Sequence, residues 1–109
     1  MGAGEGRTAQ AVSLPVLWSD EAIGEFYSAE QWYADISFDL SHRFVHAVEN
    51  VMQLVAESPL RFPVVHRGRR RAGVTRFPYG LFFRGEPGGL FVIACFHSSR
   101  DPLVWQSRV

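Results

Sequence analysis

The chain has 109 residues with 47% hydrophobic and 14% aromatic side chains and a formal net charge of zero, which predicts one globular domain and excludes an intrinsically disordered protein. Its one cysteine, Cys95, excludes an intrachain disulfide and lies in the apolar run LFVIACF, which indicates a buried thiol and a reducing compartment. No apolar run approaches the roughly 20 residues of a membrane-spanning helix, so we expect no membrane partner. Residues 1–12 lack the apolar core of a signal peptide, and we expect a flexible tail there and a single domain over 13–109.

The zero net charge conceals two oppositely charged halves. Residues 1–60 hold two arginines and nine carboxylates, a net charge of −7, whereas residues 61–109 hold nine arginines and two carboxylates, a net charge of +7. Every basic residue is an arginine, because the chain contains no lysine. A basic face favours an anionic partner; the alternative is internal compensation, with acidic helices lying beside a basic sheet.

The first predicted elements are a strand and an amphipathic helix. The stretch SLPVLWS (13–19) is short and apolar, and Pro15 near its start favours an edge strand. Ser19 is a suitable N-cap for a helix over about 20–34. The apolar stripe of this helix follows from the spacing of Ala22, Phe26, Ala29 and Tyr33.

A second helix follows directly and completes a helical hairpin with an acidic outer surface. Asp35 or Ser37 can cap it, and it ends before Pro59. Its apolar stripe consists of Phe44, Val48, Val51, Met52 and Val55.

The second half of the chain predicts a connecting loop over 58–71 and then three short strands. The first two are AGVTRFP (72–78) and YGLFFR (79–84), with a tight turn or a bulge at 78–80. The sequence EPGG (86–89) signals a hairpin, and LFVIACFH (90–97) is apolar on both faces, as in a central covered strand. This order, βααβββ, predicts an α+β fold in which the helical hairpin packs on one face of a small, mostly antiparallel four-stranded sheet.

Three features of the sequence together resemble one family. They are the run RRRAGVTRFPYGLFFR (69–84), the run FVIACFHSSRDPLVW (91–105) and the closing Arg108, and both helical segments match that family in length and position. The family is the RelE/ParE superfamily of bacterial toxins, in particular its ParE-like, plasmid-stabilisation branch. The resemblance covers roughly residues 14–108 and implies the RelE/ParE toxin fold, a cytoplasmic bacterial protein and a toxin–antitoxin hetero-oligomer. The implied antitoxin carries a ribbon-helix-helix DNA-binding domain and wraps the toxin with a helix and a strand.

The resemblance leaves the target open. ParE-type members poison DNA gyrase and thereby inhibit growth, whereas RelE-type members cleave mRNA on the ribosome. RelE-type members use lysines among their functional groups, and the absence of lysine here favours a gyrase-binding toxin with no catalytic residue. A toxin-like protein that has lost its activity and only binds its partner is a third alternative.

The endonuclease alternative would need groups that transfer protons and stabilise charge on the phosphate. Its candidates are Arg70, Arg76, Tyr79 and His97, although His97 at a strand end is also a typical structural hydrogen-bonding residue. No cofactor is expected. No metal is expected either, because no carboxylate or cysteine completes a site with His42 and His46.

The candidate binding residues form two sets. Arginines make charge-assisted hydrogen bonds to nucleic acid or to an acidic protein groove, and the target-binding candidates are Arg67, Arg69, Arg70, Arg71, Arg76, Arg84 and Arg100. The alternative for this set is a charge belt that matches the acidic helices or an acidic antitoxin. Aromatic side chains beyond the needs of one buried stripe suggest an antitoxin seat, with the candidates Phe26, Tyr27, Trp32, Tyr33 and Trp105. The alternative for this set is packing at the edge of the core.

Overall fold

The computed structural model of the protein describes residues 13–108, so the expected tail over 1–12 lies outside the described residues. In chain order, one strand precedes the two long helices, and four strands and a short helix follow them. The elements are β1 (Val16–Trp18), α1 (Asp20–Ile36), α2 (Phe38–Glu57), a 3-10 turn (Pro59–Arg61), β2 (Val64–His66), β3 (Arg69–Gly73), β4 (Tyr79–Glu86), β5 (Gly89–His97) and α3 (Leu103–Gln106).

The strands form one sheet in the order β1-β5-β4-β3-β2. β1 runs parallel to β5, and all other neighbours are antiparallel. The α+β fold predicted from the sequence is confirmed, because the helical pair packs on one face of this mostly antiparallel sheet. β1 lies at an edge, as Pro15 indicates, and β5 is an interior strand between β1 and β4 that is almost wholly buried, as its apolar sequence indicates.

Both long helices begin at serine caps. The Ser19 hydroxyl accepts a hydrogen bond from the N–H of Ala22 at 3.1 Å and caps α1, which extends two residues further than the sequence pattern predicts. The Ser37 hydroxyl accepts from the N–H of Leu40 at 3.0 Å, so Ser37 and not Asp35 caps α2. A hydroxyl cap satisfies a backbone donor that has no partner within the helix.

The sheet has a fifth strand, β2, within the segment that the sequence predicts as a loop. A two-residue turn joins β2 to β3, and its residues Arg67 and Gly68 have positive φ angles of 46° and 79°. Positive φ at both central residues is typical of the tight hairpin turn whose twist matches that of paired strands. The arginine run Arg69–Arg71 therefore lies in a strand and not in a loop.

The predicted strand over 72–78 is shorter than expected and ends at Gly73. The N–H of Phe77 donates to the carbonyl oxygen of Val74 at 3.1 Å, which closes a turn around Arg76 at φ 70°. Arg76 therefore projects from a turn. Pro78 follows directly, and Tyr79 already belongs to β4.

The sheet buries a separate apolar cluster on each face. On the helix face, Phe44 of α2 packs with Leu81, Phe83 and Val92. The opposite face holds a smaller cluster of Phe82, Ile93, Ala94, Phe96 and Trp105. Phe82 pairs with Ala94 while Phe83 pairs with Val92, so Ile93 is an extra residue in β5. This bulge places the consecutive residues Ile93 and Ala94 on the same face.

Candidate functional site

Five arginines lie on the sheet face opposite the helices, which we call the arginine face. Side chains alternate along a strand, so Arg69 and Arg71 of β3 and Arg84 of β4 share this face with Phe82. Arg100 and Arg108 reach it from the C-terminal segment, with guanidinium carbons 4.1 Å and 5.8 Å from the centroid of the Phe96 ring. The arginine run therefore contributes a cationic surface above a small aromatic core.

The three strand arginines differ in their contacts. Arg69 donates to the carbonyl oxygens of Arg67 and Arg108, both at 3.2 Å, which ties β3 to the end of the chain. Arg84 forms an ion pair with Glu86 at 2.8 Å. The Arg71 side chain has neither a hydrogen bond nor an ion pair with any residue of the range 13–108. Of the three, Arg71 is the one left available to an outside acceptor.

The remaining arginine candidates lie elsewhere. Arg70 points to the helix face, where its Nη1 donates to the carbonyl oxygen of Phe62 at 2.6 Å and pins the preceding loop. Arg67 occupies the β2–β3 turn, and Arg76 lines a cleft of about 520 Å³ against α2. The seven target-binding candidates therefore do not share a single surface.

Glu25 of α1 contacts three residues of β5 and the C-terminal segment, all at least 70 positions away along the chain. Its carboxylate accepts from Arg108 at 2.8 Å and 3.1 Å, from Arg100 at 3.1 Å and from the backbone N–H of Cys95 at 3.0 Å. The Glu25 and Arg108 side chains are 14% and 18% exposed, whereas Arg100 is 45% exposed. The hydrogen bond with Glu25 raises the pKa of the Arg108 guanidinium. Internal charge compensation between an acidic helix and the basic half is therefore present here.

Cys95 is a buried thiol, as the sequence indicates. Burial, and to a lesser degree the Glu25 carboxylate, raises the pKa of the Cys95 thiol to about 12. A thiol with so high a pKa carries almost no thiolate near neutral pH, so Cys95 contributes packing and not reactivity.

A groove of about 790 Å³ lies between α1 and the C-terminal end of β5. Glu25, Ser28 and Trp32 line it from the helix, and Tyr79 and His97 line it from the sheet. Trp32 is 60% exposed, although it stands beside this partly apolar surface. An exposed indole next to an apolar groove is typical of a surface that binds another protein segment.

The backbone of β5 is also open toward this groove. β1 pairs with β5 only as far as Trp18 and Val92, so the last residues of β5 have no neighbouring strand on that side among residues 13–108. The N–H of Ser98 donates to Pro78 at 2.8 Å on the β4 side, whereas the N–H of Cys95 donates to Glu25 on the other side. Because backbone groups alternate along a strand, the carbonyl of Cys95 and the N–H of His97 also face the groove and can pair with an extended segment.

The five aromatic candidates for antitoxin binding are distributed differently. Trp32 and Tyr27 are each 60% exposed, but of these two residues only Trp32 lines the groove. Phe26 is half-buried and Tyr33 is buried, and both pack against the helix-face core. Trp105 is 3% exposed and stacks on Phe82 with ring centroids 4.0 Å apart, which favours the alternative that it packs in the core.

The four endonuclease candidates do not converge. Tyr79 and His97 are in contact, with ring centroids 5.0 Å apart. Arg70 pairs with Phe83, which lies four residues along β4 from Tyr79, or about 13 Å at the rise of a strand. Arg76 lies in the turn that lines the cleft against α2.

The hydrogen bonds of His97 and the burial of Tyr79 also limit proton transfer. The Nδ1 of His97 accepts from the backbone N–H of Ser99 at 3.0 Å, which places the ring proton of the neutral imidazole on Nε2. Burial raises the pKa of Tyr79 and so makes its phenol a weaker acid. His97 is therefore held in a structural hydrogen bond, and Tyr79 is poorly suited to donate a proton.

Sequence reasoning did not identify two residues, Glu25 and Gly80, that position the groove and the arginine face. Glu25 lies between Ala22 and Ala29 on the buried side of α1, and a carboxylate inside an apolar stripe is a signal that a buried cation is nearby. Gly80 was interpreted only as part of a turn, whereas it pairs with Gly73 in the sheet. Nothing in the local sequence indicates which side chain lies over it.

Two features are absent from residues 13–108. No group of three or more histidine, cysteine or carboxylate side chains is placed to hold a metal ion in that range. None of the helices there combines the length and the apolar character needed to span a membrane.

No family model and no curated protein matches the chain. Among solved structures, the chain is similar to a chain of the chromosomal ParDE toxin–antitoxin system from P. aeruginosa, with a TM-score of 0.68 at 12% sequence identity. The two chains share one fold. The match covers 79% of this chain and 97% of that chain, so it includes nearly every element of the ParDE-system chain. The ParE-like resemblance drawn from the sequence is thereby confirmed at the level of the fold.

Proposed function

We propose that the protein is the ParE-like toxin of a type II toxin–antitoxin pair in the bacterial cytoplasm. In this proposal it binds DNA gyrase through its arginines and is neutralised by a cognate antitoxin that occupies the groove beside α1. The observation that carries the proposal is the shared fold with a ParDE-system chain, together with six arginines that have no carboxylate partner among residues 13–108.

The charges support an anionic target. Three of the nine arginines in residues 61–109, namely Arg84, Arg100 and Arg108, have a carboxylate partner within the described part of the chain. The other six have none there: Arg61, Arg67, Arg69, Arg70, Arg71 and Arg76. Arginines without an internal counter-charge attract an acidic protein face or a phosphate backbone and speed association with it.

The groove supports an antitoxin that binds as an ordered segment. Its helix side offers the exposed indole of Trp32, and its sheet side offers backbone groups at the end of β5 that have no strand partner among residues 13–108. A helix or an extended segment can bury its apolar side chains against Trp32 and form backbone hydrogen bonds with the end of β5. A small ribbon-helix-helix repressor encoded by the neighbouring gene is the partner that this proposal expects.

The endonuclease alternative has weaker support. Its four candidate residues lie in three separate places, and the chain has no lysine to act beside them. General acid–base catalysis requires the participating groups within hydrogen-bond reach of one substrate. Binding, and not bond cleavage, is therefore the activity that the arrangement favours.

The target is tested by two assays on the same purified protein. We expect inhibition of DNA supercoiling by gyrase and no cleavage of mRNA on translating ribosomes. Cleaved message with unaffected gyrase would contradict the proposal and favour the endonuclease. No effect in either assay, together with normal growth on expression, would favour an inactive binding protein.

Antitoxin binding in the groove is tested with two equally exposed aromatic residues. Replacing Trp32 with alanine should weaken antitoxin binding by at least about tenfold, because buried tryptophan side chains commonly dominate binding energies. Tyr27→Ala is the matched control, since Tyr27 is just as exposed but lies outside the groove. Calorimetric titration with the antitoxin measures both variants, and an equal loss in the two would contradict the assignment of the groove.

A further inference from the structure

The guanidinium of Arg71 occupies space that a side chain on β4 would otherwise fill. A β-carbon built on Gly80 would lie 2.7 Å from Nε and 3.0 Å from Cζ of Arg71, closer than van der Waals contact permits. A β-carbon on Gly73 would lie 3.3 Å from Nη1 of the same side chain. Gly73 and Gly80 are paired neighbours in the sheet, so together they form a shallow cradle in which the guanidinium lies.

This cradle holds a cation that is half-buried and unpaired. Arg71 is partly shielded from solvent, yet its five N–H donors have no acceptor among the residues from 13 to 108. An arginine that only stabilised the sheet would gain from a carbonyl or carboxylate partner, as Arg69 and Arg84 do. The nearest ring, Phe82, lies 5.9 Å from Cζ and leaves the donors free.

A second guanidinium, that of Arg100, lies over the same row of paired residues across the sheet. Gly80 pairs with Gly73 on one side and with Phe96 on the other, and the guanidinium of Arg100 lies over the Phe96 ring at 4.1 Å. Neighbouring strands are about 4.8 Å apart, so the two cationic groups are separated by roughly one to two strand spacings. One carboxylate can hydrogen-bond to both groups at the shorter end of this range.

The geometry points to an oxyanion seat formed by Arg71 and Arg100, which we propose accepts an aspartate or glutamate side chain of a partner protein. The planar fork of arginine matches a carboxylate in two parallel hydrogen bonds. This inference rests on the proposed binding role of the arginine face, but it does not depend on gyrase as the target.

The surroundings favour a carboxylate over nucleic acid. The rings beside the seat, Phe82 and Phe96, are buried and therefore offer no face on which a base could stack. Proteins that bind single strands combine cationic grooves with exposed aromatic platforms. The carboxylate of Glu25 also lies next to Arg100 and would repel a run of phosphates more than it would repel one acidic side chain.

Gly80→Ala tests the seat without changing any charge. The added methyl group meets only the end of the Arg71 side chain among its three nearest atoms, so it should displace the guanidinium and leave the strand intact. Gly85→Ala is the matched control, because Gly85 lies in the same strand and a β-carbon there meets nothing within 4 Å. Arg71→Gln removes the cation directly and serves if Gly80→Ala fails to fold.

The probe is a fluorescein-labelled octapeptide of alternating aspartate and glycine, followed by fluorescence anisotropy at low salt. We expect Gly80→Ala and Arg71→Gln each to weaken binding by about tenfold, and Gly85→Ala to bind like the parent protein. The double variant should lose no more than Arg71→Gln alone, because both changes act on one group. Unchanged binding by Gly80→Ala and Arg71→Gln would overturn the inference, as would a parent protein that does not bind the peptide.

A single-stranded oligonucleotide of equal charge is the second probe. If it binds more tightly than the peptide and shows the same sensitivity to Gly80→Ala, the seat accepts phosphate and the assignment to a carboxylate is wrong. A different result would contradict the proposed function. If peptide binding depends on Gly80 but gyrase is unaffected, the carboxylate site is retained and gyrase is rejected as the target.

Discussion

The helix face and the arginine face of the sheet are built from the same strands but are covered in different ways. Two long helices cover the helix face and bury the rings of Phe44, Tyr33 and Phe83. A four-residue helix covers the arginine face, mainly through the single side chain of Trp105. One face therefore supplies most of the apolar burial that stabilises the domain, whereas the other leaves cations at its surface.

This contrast between the two faces shows where function can be placed in so small a domain. A protein of this size needs one well-packed core, and a second face with a thin cover can hold groups that do not stabilise the fold. Unpaired arginines on such a face contribute little stability, and their presence is better explained by binding. Substitutions on each face therefore test how far stability and binding are divided in this way.

The largest effect should come from the centre of the helix face. Phe44 is fully buried and contacts the rings of Phe26, Tyr33, Phe77 and Tyr79. Phe44→Ala should lower the free energy of unfolding by about 4 kcal/mol, because it removes apolar burial and leaves a cavity. Urea denaturation monitored by circular dichroism measures the loss, and a change below about 1 kcal/mol would show that this face is not the main core.

Trp105→Ala should have a smaller and more local effect. Its indole is as buried as a core residue, but it belongs to a short terminal segment that can detach from the sheet without unfolding the helices. We expect a loss of about 3 kcal/mol, at the lower end of the range for such truncations. Hydrogen exchange should show reduced protection in residues 98–108 and unchanged protection in α2, and equal loss in both would contradict the division between the faces.

The sequence predicts the helix face better than the arginine face, for physical reasons. The spacing of apolar residues identifies α1 and α2, because a buried helix stripe repeats every three to four residues. The β2–β3 hairpin was missed because Arg69–Arg71 lack an apolar pattern, and their strand conformation follows from pairing with β4. α3 was missed because four residues give too little periodicity to detect.

The candidate site depends more than the fold does on contacts between residues that are far apart along the chain. Glu25 and Arg108 lie 83 positions apart, and their ion pair follows from the sheet order and not from any local motif. The space over Gly80 likewise depends on how β3 and β4 are aligned. Sequence patterns identified the arginines as a set, but the folded structure was needed to separate the paired ones from the unpaired ones.

Glu25→Gln should have an intermediate effect that connects the two faces. The amide keeps an oxygen for the backbone N–H of Cys95 but removes the negative charge that faces Arg108 and Arg100. We expect a loss of about 1–2 kcal/mol in the free energy of unfolding, mostly through Arg108, because the more exposed Arg100 is screened by solvent.

Chemical denaturation of Glu25→Gln and of the control Glu30→Gln measures this loss. Glu30 lies on the same helix and has no ion pair with any residue in the described range, so its substitution should leave stability unchanged. Equal stability of the two variants would show that the Glu25 cluster does not hold the C-terminal segment in place.

The smallest effect should be a gain in stability. Gly24 lies within α1, and a β-carbon there meets nothing within 4 Å. Gly24→Ala should raise the free energy of unfolding by about 0.5–1 kcal/mol, because alanine loses less conformational freedom than glycine when a helix forms. A thermal melt measures the gain, which should appear as a rise of a few degrees in Tm.

The same substitution separates stability from binding, because Gly24 also lines the groove beside α1. A methyl group at this position narrows the groove, so Gly24→Ala should weaken antitoxin binding even though the folded protein is more stable. Calorimetric titration with the antitoxin measures this loss, with Gly85→Ala as a glycine control outside the groove. A variant that is more stable and binds as tightly as the parent would place the antitoxin elsewhere. A gain in stability with a loss in affinity would show that glycine at position 24 serves the groove and not the helix.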